Sequence, residues 1–291
     1  MERGDDRRCG LANLRPASIR AALCQLVTVS GMDLTVITAA RLPDPALFIE
    51  CVGSLCVAAK GLELQWVVVL DDSTPRSPLE PALQAARHHG IHVDVLELPF
   101  RAGAGGARTI GLTRCLSEWI TVLDADDLLP GDALHAQMAA LQSHPVARWC
   151  VGAGETIGDG RLFHPHTLPP VVPAGFVAVV TRDTGSLPTI PIAGVWRTND
   201  VLRLGAWPAL PRDEDTSLKL ALTSVSPGVS IPQSVYVYRR GVPGQMTADP
   251  VFSLSASICR RAAVDRLTAL VEHGDAPRHL IEGDWRRFLD A

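Results

Sequence analysis

The stretch Ile120-Thr-Val-Leu-Asp-Ala-Asp-Asp127 decides how this chain is read, because an apolar, β-rich run stops abruptly at three carboxylates within four residues. A strand buried on both faces of a parallel sheet has this unbroken apolar character, and open α/β sheets bind ligands beyond the carboxyl ends of their strands. In extended backbone Asp124 and Asp126 point the same way, since side chains alternate faces with period two. Carboxylates crowded at such a strand end are driven to take up protons unless a cation offsets them. Oxygen donors of this kind suit Mg²⁺ or Mn²⁺, which complete their shell with water and substrate phosphates. A plainer reading stands beside it, in which Asp126 or Asp127 caps a helix starting near Pro130.

Upstream the same pattern repeats. Strands are predicted at Leu34 to Thr38, Trp66 to Leu70 and Val93 to Leu98, ahead of the one from Trp119 to Leu123. Helices over Ala46 to Lys60, Leu79 to His89 and Gly105 to Leu116 lie between them. Such alternation builds a parallel sheet covered by helices. After Pro130, Leu134, Met138 and Leu141 recur at helical spacing. Residues 160–190 carry five prolines around a β-like run, Phe176 to Thr181, and suggest long loops at the sheet edge. A strand from Ser234 to Tyr238 and a C-terminal helix marked by Val264, Leu267 and Val271 follow.

Composition excludes several classes. With 291 residues, 47% hydrophobic, 20% charged and a net charge of -4, the chain reads as an ordinary globular protein without the positive excess that holds nucleic acid. Seven scattered cysteines, odd in number and without a C-x-x-C pair, fit a reduced, cytoplasmic setting. No apolar run reaches the roughly 18 residues of a membrane span. Residues 1–31, despite an apolar patch from Ala21 to Val29, are expected to be a flexible extension that the fold does not need.

The other strand ends are polar too. The first runs into Thr38-Ala-Ala-Arg41. The second ends at Asp71-Asp-Ser-Thr74, which is either a turn or a carboxylate aimed at the imino N–H of uracil or thymine. Arg101 to Gly111 holds four glycines, which let backbone approach phosphate, with Arg108 one helical turn inside. It is neither a G-x-x-x-x-G-K-[ST] loop nor a G-x-G-x-x-G fingerprint. Asp213-Glu-Asp215 opens a helical run. Either it is an acidic first turn with Asp215 paired to Lys219, or Asp215 is a general base. His164 and His166, in a loop, are read as solvent-exposed.

Taken together, these segments resemble glycosyltransferase family 2, the inverting enzymes of GT-A fold, from about residue 33 to 247. Leu34-Thr-Val-Ile-Thr-Ala-Ala-Arg41 resembles the opening strand and nucleotide loop, and Trp66-Val-Val-Val-Leu-Asp-Asp-Ser-Thr74 the base-contacting one. Gly103-Ala-Gly-Gly-Ala-Arg-Thr-Ile-Gly111 is similar to the A-R-N-x-G segment, Leu123-Asp-Ala-Asp-Asp127 to the D-x-D metal motif, Glu214-Asp215 to the E-D motif, and Tyr238-Arg239-Arg240 to the later Y-R stretch. The resemblance implies a mostly parallel, Rossmann-like sheet flanked by helices, with an irregular acceptor-side second half. It divides the chain into a catalytic domain over 32–250, split at residue 127 into nucleotide and acceptor halves, and a helical segment over 251–291.

By the same resemblance Ala39, Arg41, Asp71, Arg108, Asp124, Arg239 and Arg240 would hold the nucleotide-diphosphate sugar. Asp124 and Asp126 would hold Mn²⁺ or Mg²⁺, and Asp215 would be the base. A small-molecule or glycan acceptor is implied, and a homodimer is compatible with it. The sequence departs from the family pattern at Arg101 and Thr109, both in place of Asn. It also lacks the Q-x-x-R-W motif of processive synthases. The rival readings are a sugar nucleotidyltransferase, against which the loop Ala39-Ala-Arg-Leu-Pro43 argues, and a silent nucleotide-sugar-binding module.

Overall fold

A computed structural model describes residues 31–157, 162–163, 168–241 and 250–291. The patch from Ala21 to Val29, His164 and His166 lie outside these residues.

Strands β1 (Leu34–Ala40), β2 (Leu64–Leu70), β3 (His92–Glu97) and β4 (Trp119–Val122) form a parallel unit in the spatial order β3-β2-β1-β4. Every residue of β2 is buried, the apolar run from Trp66 to Leu70 and also Gln65, whose side chain accepts from the Thr35 hydroxyl and donates to the Arg114 carbonyl. The chain first builds outward from β1 to β3 and then crosses back to set β4 on the other side of β1. That reversal opens a crevice at the carboxyl ends of β1 and β4.

Helices α1 (Pro45–Ala58), α2 (Glu80–His88) and α3 (Gly103–Leu112) connect these strands. Asp44 caps α1 by accepting from the Ala46 N–H at 2.8 Å and the Leu47 N–H at 3.3 Å, with Pro45 at the first helical position. Helix α3 lies close on the sheet at Gly111, where a Cβ would come within 3.0 Å of Ile37 and Val69.

In the second half, α4 (Ala133–Ser143) precedes β5 (Trp149–Ile157), β6 (Leu162–Phe163) and β7 (Val171–Val172). The run from Phe176 to Thr181 is helical, not β. It forms α5 (Phe176–Thr184) between Gly175 at φ 85° and Gly185 at φ 80°. Val177, Ala178 and Thr181 share its buried face, and burial of one face outweighs the small helix penalty of β-branched residues. Next come β8 (Val195–Arg197), α6 (Thr198–Arg203), α7 (Glu214–Val225) and β9 (Gly228–Arg239). Strand β8 runs antiparallel between β4 and β5, while β9 pairs with β5 in parallel. The complete order is β3-β2-β1-β4-β8-β5-β9-β7, with β6 on β5.

Gly228 at the start of β9 leaves room for the Trp149 indole, which donates to the Ser226 carbonyl at 3.0 Å. The chain ends in α8 (Pro250–Leu254), α9 (Ala256–Glu272), a 3-10 turn at Arg278–Leu280 and α10 (Arg286–Leu289). Helix α9 packs on α7, and the main buried apolar cluster runs from Leu34 to Leu289. Among the described residues no helix is long and apolar enough to cross a membrane.

Candidate active site

The loop after β4 is held from β9. Tyr236 donates its hydroxyl to Asp127 Oδ2 at 2.8 Å and accepts from the Asp124 N–H at 3.1 Å. The Arg239 N–H donates to Asp127 Oδ1 at 2.7 Å, and Arg239 Nε to the Asp126 carbonyl at 2.8 Å. Asp127 is thus fully buried and serves the loop's own shape. Burial pushes its pKa well up, and the charges of Asp124 and Asp126 add to this, against the Arg239 N–H and the Tyr236 hydroxyl. Asp124 and Asp126 stay partly exposed on the crevice side. The capping alternative fails, because the residue before α4 is Asp132 and the 127 carboxylate is spent on β9.

Arg108 draws the two halves together. Helix α3 carries it into the interior, 2% exposed, where Nη2 donates to Asp124 Oδ1 at 2.6 Å. Its Nη1 donates to Glu214 Oε1 at 2.8 Å and to both Asp215 oxygens at 3.0 Å. Burial works against this charge, but Asp124, Asp215 and Glu214 outweigh it and hold the guanidinium protonated more firmly than usual. The sequence reading gave Arg108 to the nucleotide. The structure turns both of its Nη groups to three carboxylates and leaves the buried Nε without a partner among the described residues.

Asp215 opens α7 and also accepts from Trp207 Nε1 at 2.8 Å. Burial raises its pKa, as does Asp124, whereas Arg108, Trp207 and Lys219 pull it back toward the ionised form. Its neighbour Glu214 is pushed up to about 7, first by burial and then by the Asp215 charge. Gly105 lets α3 come this near, for a Cβ there would lie 2.4 Å from the Pro208 carbonyl oxygen. The expected ion pair of Asp215 with Lys219 is replaced by a different arrangement. Lys219 Nζ donates to Thr189 Oγ1, the Ile190 carbonyl and the Ala193 carbonyl.

The remaining candidates divide. Ala39 lies within β1, and Arg41 follows it, 3.9 Å from Asp72. Asp71 is 2% exposed, and its two oxygens accept from the Ala102 N–H at 2.7 Å and the Gly103 N–H at 3.0 Å. It fixes the approach to α3 and has no free face toward a base, while Asp72 beside it is 42% exposed. Arg239 is drawn back by Glu50 at 2.7 Å and by the Asp126 carbonyl, so it braces the loop; Arg240 is exposed at the end of β9. Tyr236 and Trp207 are residues that sequence reasoning missed, while Lys219 was read only as a partner for Asp215. Trp207 carried a signal, as the aromatic just ahead of the acidic triplet.

No three His, Cys, Asp or Glu side chains among the described residues form a ready-made metal cluster. The donor chemistry nonetheless fits a magnesium-type ion, which binds through one or two carboxylates and takes its other ligands from phosphate and water. Three carboxylates on one guanidinium leave excess negative charge beside Asp126, which a divalent cation would offset.

The model of the family described as Glycosyl transferase family 2 matches residues 35–196. No functionally curated protein matches the chain. Among solved structures, S. aureus TarS 1-349 in complex with UDP-GlcNAc is similar at 16% identity with a TM-score of 0.67, over 81% of this chain and 66% of that one, just under two thirds of its length. The mannosyltransferase PcManGT from Pyrobaculum calidifontis, in complex with GDP-Man and Mn²⁺, is similar at 16% identity with a TM-score of 0.53, over 90% of this chain and 73% of that one. The sheet order and these likenesses define a GT-A type α/β fold. The chain belongs to glycosyl transferase family 2. Asp215 lies beyond the matched segment.

Proposed function

We propose that the protein moves a sugar from a nucleotide-diphosphate donor to a hydroxyl of a discrete small-molecule or glycan acceptor, inverting the anomeric carbon. The observation that carries this reading is Arg108, hydrogen-bonded at once to Asp124 at the end of β4 and to Asp215 at the start of α7. In this reading a donor-binding carboxylate and the base are tied to one guanidinium. Family membership and the nucleotide sugars bound by TarS and PcManGT support the donor class.

In this reading Asp124 and Asp126 hold Mn²⁺ or Mg²⁺. The bound ion supplies stabilisation of charge on the departing diphosphate. Asp215, whose charge Arg108 and Trp207 favour against the opposing effect of burial, takes the proton of the acceptor hydroxyl as its oxygen bonds to the anomeric carbon. The bond to the diphosphate breaks in the same displacement, and its electron pair leaves with the nucleoside diphosphate. Arg41 and Arg240 are the exposed cations proposed to meet the phosphates. Since Asp71 is buried against the amides leading into α3, we assign the base contact to the exposed Asp72, whose carboxylate suits the imino N–H of uracil or thymine. UDP- or dTDP-sugars are the favoured donors.

The test is donor hydrolysis, with UDP-, dTDP- and GDP-sugars and Mn²⁺, followed as nucleoside diphosphate release. Asp215→Asn should abolish turnover and keep donor affinity. Turnover retained by Asp215→Asn removes the base assignment, and pyrophosphate-dependent nucleotide exchange would point to a nucleotidyltransferase instead.

A further inference from the structure

Lys219 is one of two lysines in the chain and is 2% exposed, one helical turn beyond Asp215 on α7. An ammonium has three N–H donors and no acceptor, and an unpaired charge in the interior is strongly unfavourable. All three donors are used. They go to Thr189 Oγ1 at 2.8 Å, to the Ala193 carbonyl at 3.0 Å and to the Ile190 carbonyl. The Trp196 ring lies 5.3 Å away on a further side.

These acceptors all belong to the connection between α5 and β8. One hydroxyl and two carbonyls of residues 189–193 thus converge on the ammonium. The same connection sets Pro191 and Ile192 beside Asp215, Trp196, Trp207 and Lys219 around a small cavity of about 10 Å³, room for a single water at most. An apolar side chain would fill the volume of Lys219 without ordering those carbonyls, so packing alone does not account for a buried charge here. Its charge is also among those that draw Asp215 toward ionisation.

We infer that Lys219 is a positioning residue: its ammonium fastens the 189–193 connection to the helix bearing Asp215, and so fixes the packing that holds the base in place for an acceptor hydroxyl. Lys219 acts through the loop and touches no reacting atom. The inference rests on the reading of Asp215 as the base.

Two variants test it, Lys219→Met, which deletes the charge, and Thr189→Val, which deletes one acceptor and leaves the lysine in place. Amide hydrogen exchange over residues 187–194 is expected to quicken by about tenfold in Lys219→Met and by less in Thr189→Val, with β1 to β4 unchanged as the folding control. Hydrolysis of UDP-glucose, UDP-GlcNAc and GDP-mannose with Mn²⁺ should show kcat reduced by about ten to a hundredfold at a donor KM held within about twofold. Unaltered exchange in 187–194 in both variants overturns the fastening. A donor KM that rises while kcat holds overturns the positioning role. If Lys219→Met does not fold, Thr189→Val decides by the same exchange measurement. Wild-type protein that hydrolyses none of the three sugars sinks the glycosyl-transfer reading, while exchange still decides whether the loop is held by the ammonium.

Discussion

Replacing Arg108 by methionine removes the one guanidinium that three carboxylates share. The side chains of Glu214 and Asp215 are 6% and 16% exposed, whereas Asp124 at 28% regains part of its hydration when Arg108 is gone. Breaking a buried charge network by deleting one partner costs about 3–5 kcal/mol, and the partial hydration of Asp124 puts the expected loss near the lower end, about 3 kcal/mol. At roughly 2–4 °C per kcal/mol for a domain of this size, Tm should fall by roughly 6–12 °C. Burial raises Glu214 and Asp215 even with Arg108 in place, and its loss lifts them further above their unfolded values near 4, so the folded variant binds more protons than the unfolded chain. The variant therefore loses stability as pH rises through that window, and its deficit is larger at pH 7 than at pH 5. Thermal unfolding followed by circular dichroism at both pH values measures this. A Tm within about 2 °C of wild type at pH 7 refutes the view that Arg108 is what holds these charges together.

Asp126→Ala should weaken Mn²⁺-dependent binding of UDP or GDP by about tenfold or more, about 1.4 kcal/mol, in titration calorimetry; equal affinity with and without the carboxylate removes the metal assignment. Gly228→Ala would set a Cβ 2.0 Å from the Trp149 ring, which its hydrogen bond to Ser226 keeps from swinging aside, and should cost roughly 1–3 kcal/mol in urea unfolding. An unshifted urea midpoint contradicts that packing. Burial lowers the Lys219 pKa to about 7, below its unfolded value, so its cost is fully present below pH 7 and is relieved as pH rises. Stability should gain up to about 1.4 kcal/mol per pH unit from this group between pH 7 and 9, and Lys219→Met should flatten the slope. Above pH 9 the Cys115 and Cys150 thiols, both pushed up to about 12 by burial, act in the opposite sense.

The first half of the fold was legible because its strands are short apolar runs closed by polar residues, a pattern that survives without tertiary information. The acidic groups at the ends of β4 and at the start of α7 were legible for the same reason. What sequence could not supply was which neighbour consumes which side chain. Asp71 and Asp72 are alike on paper, yet one is spent on the amides leading into α3 and the other faces solvent. Arg108 reads as a phosphate ligand until the Glu214 and Asp215 carboxylates, more than a hundred residues later, are seen around it. The Phe176 to Thr181 run was misread because its valines suggest a strand, and only the two left-handed glycines and the buried face decide for a helix. Strand β5 drew no prediction, since its glycines at 152 and 154 interrupt the apolar pattern while making room for Val235 and Ile190.

The dependence of Asp127 on Tyr236 and Arg239 has a consequence for how the molecule matures. These contacts span 109 and 112 residues, so a growing polypeptide exposes the acidic turn long before its brace has been synthesised. Strand pairing over such separation is slow, because loop closure must precede any gain from the contact. The acidic turn therefore gains its lock only once β9 has been made, and a nascent chain stalled before Ser234 carries the turn without it.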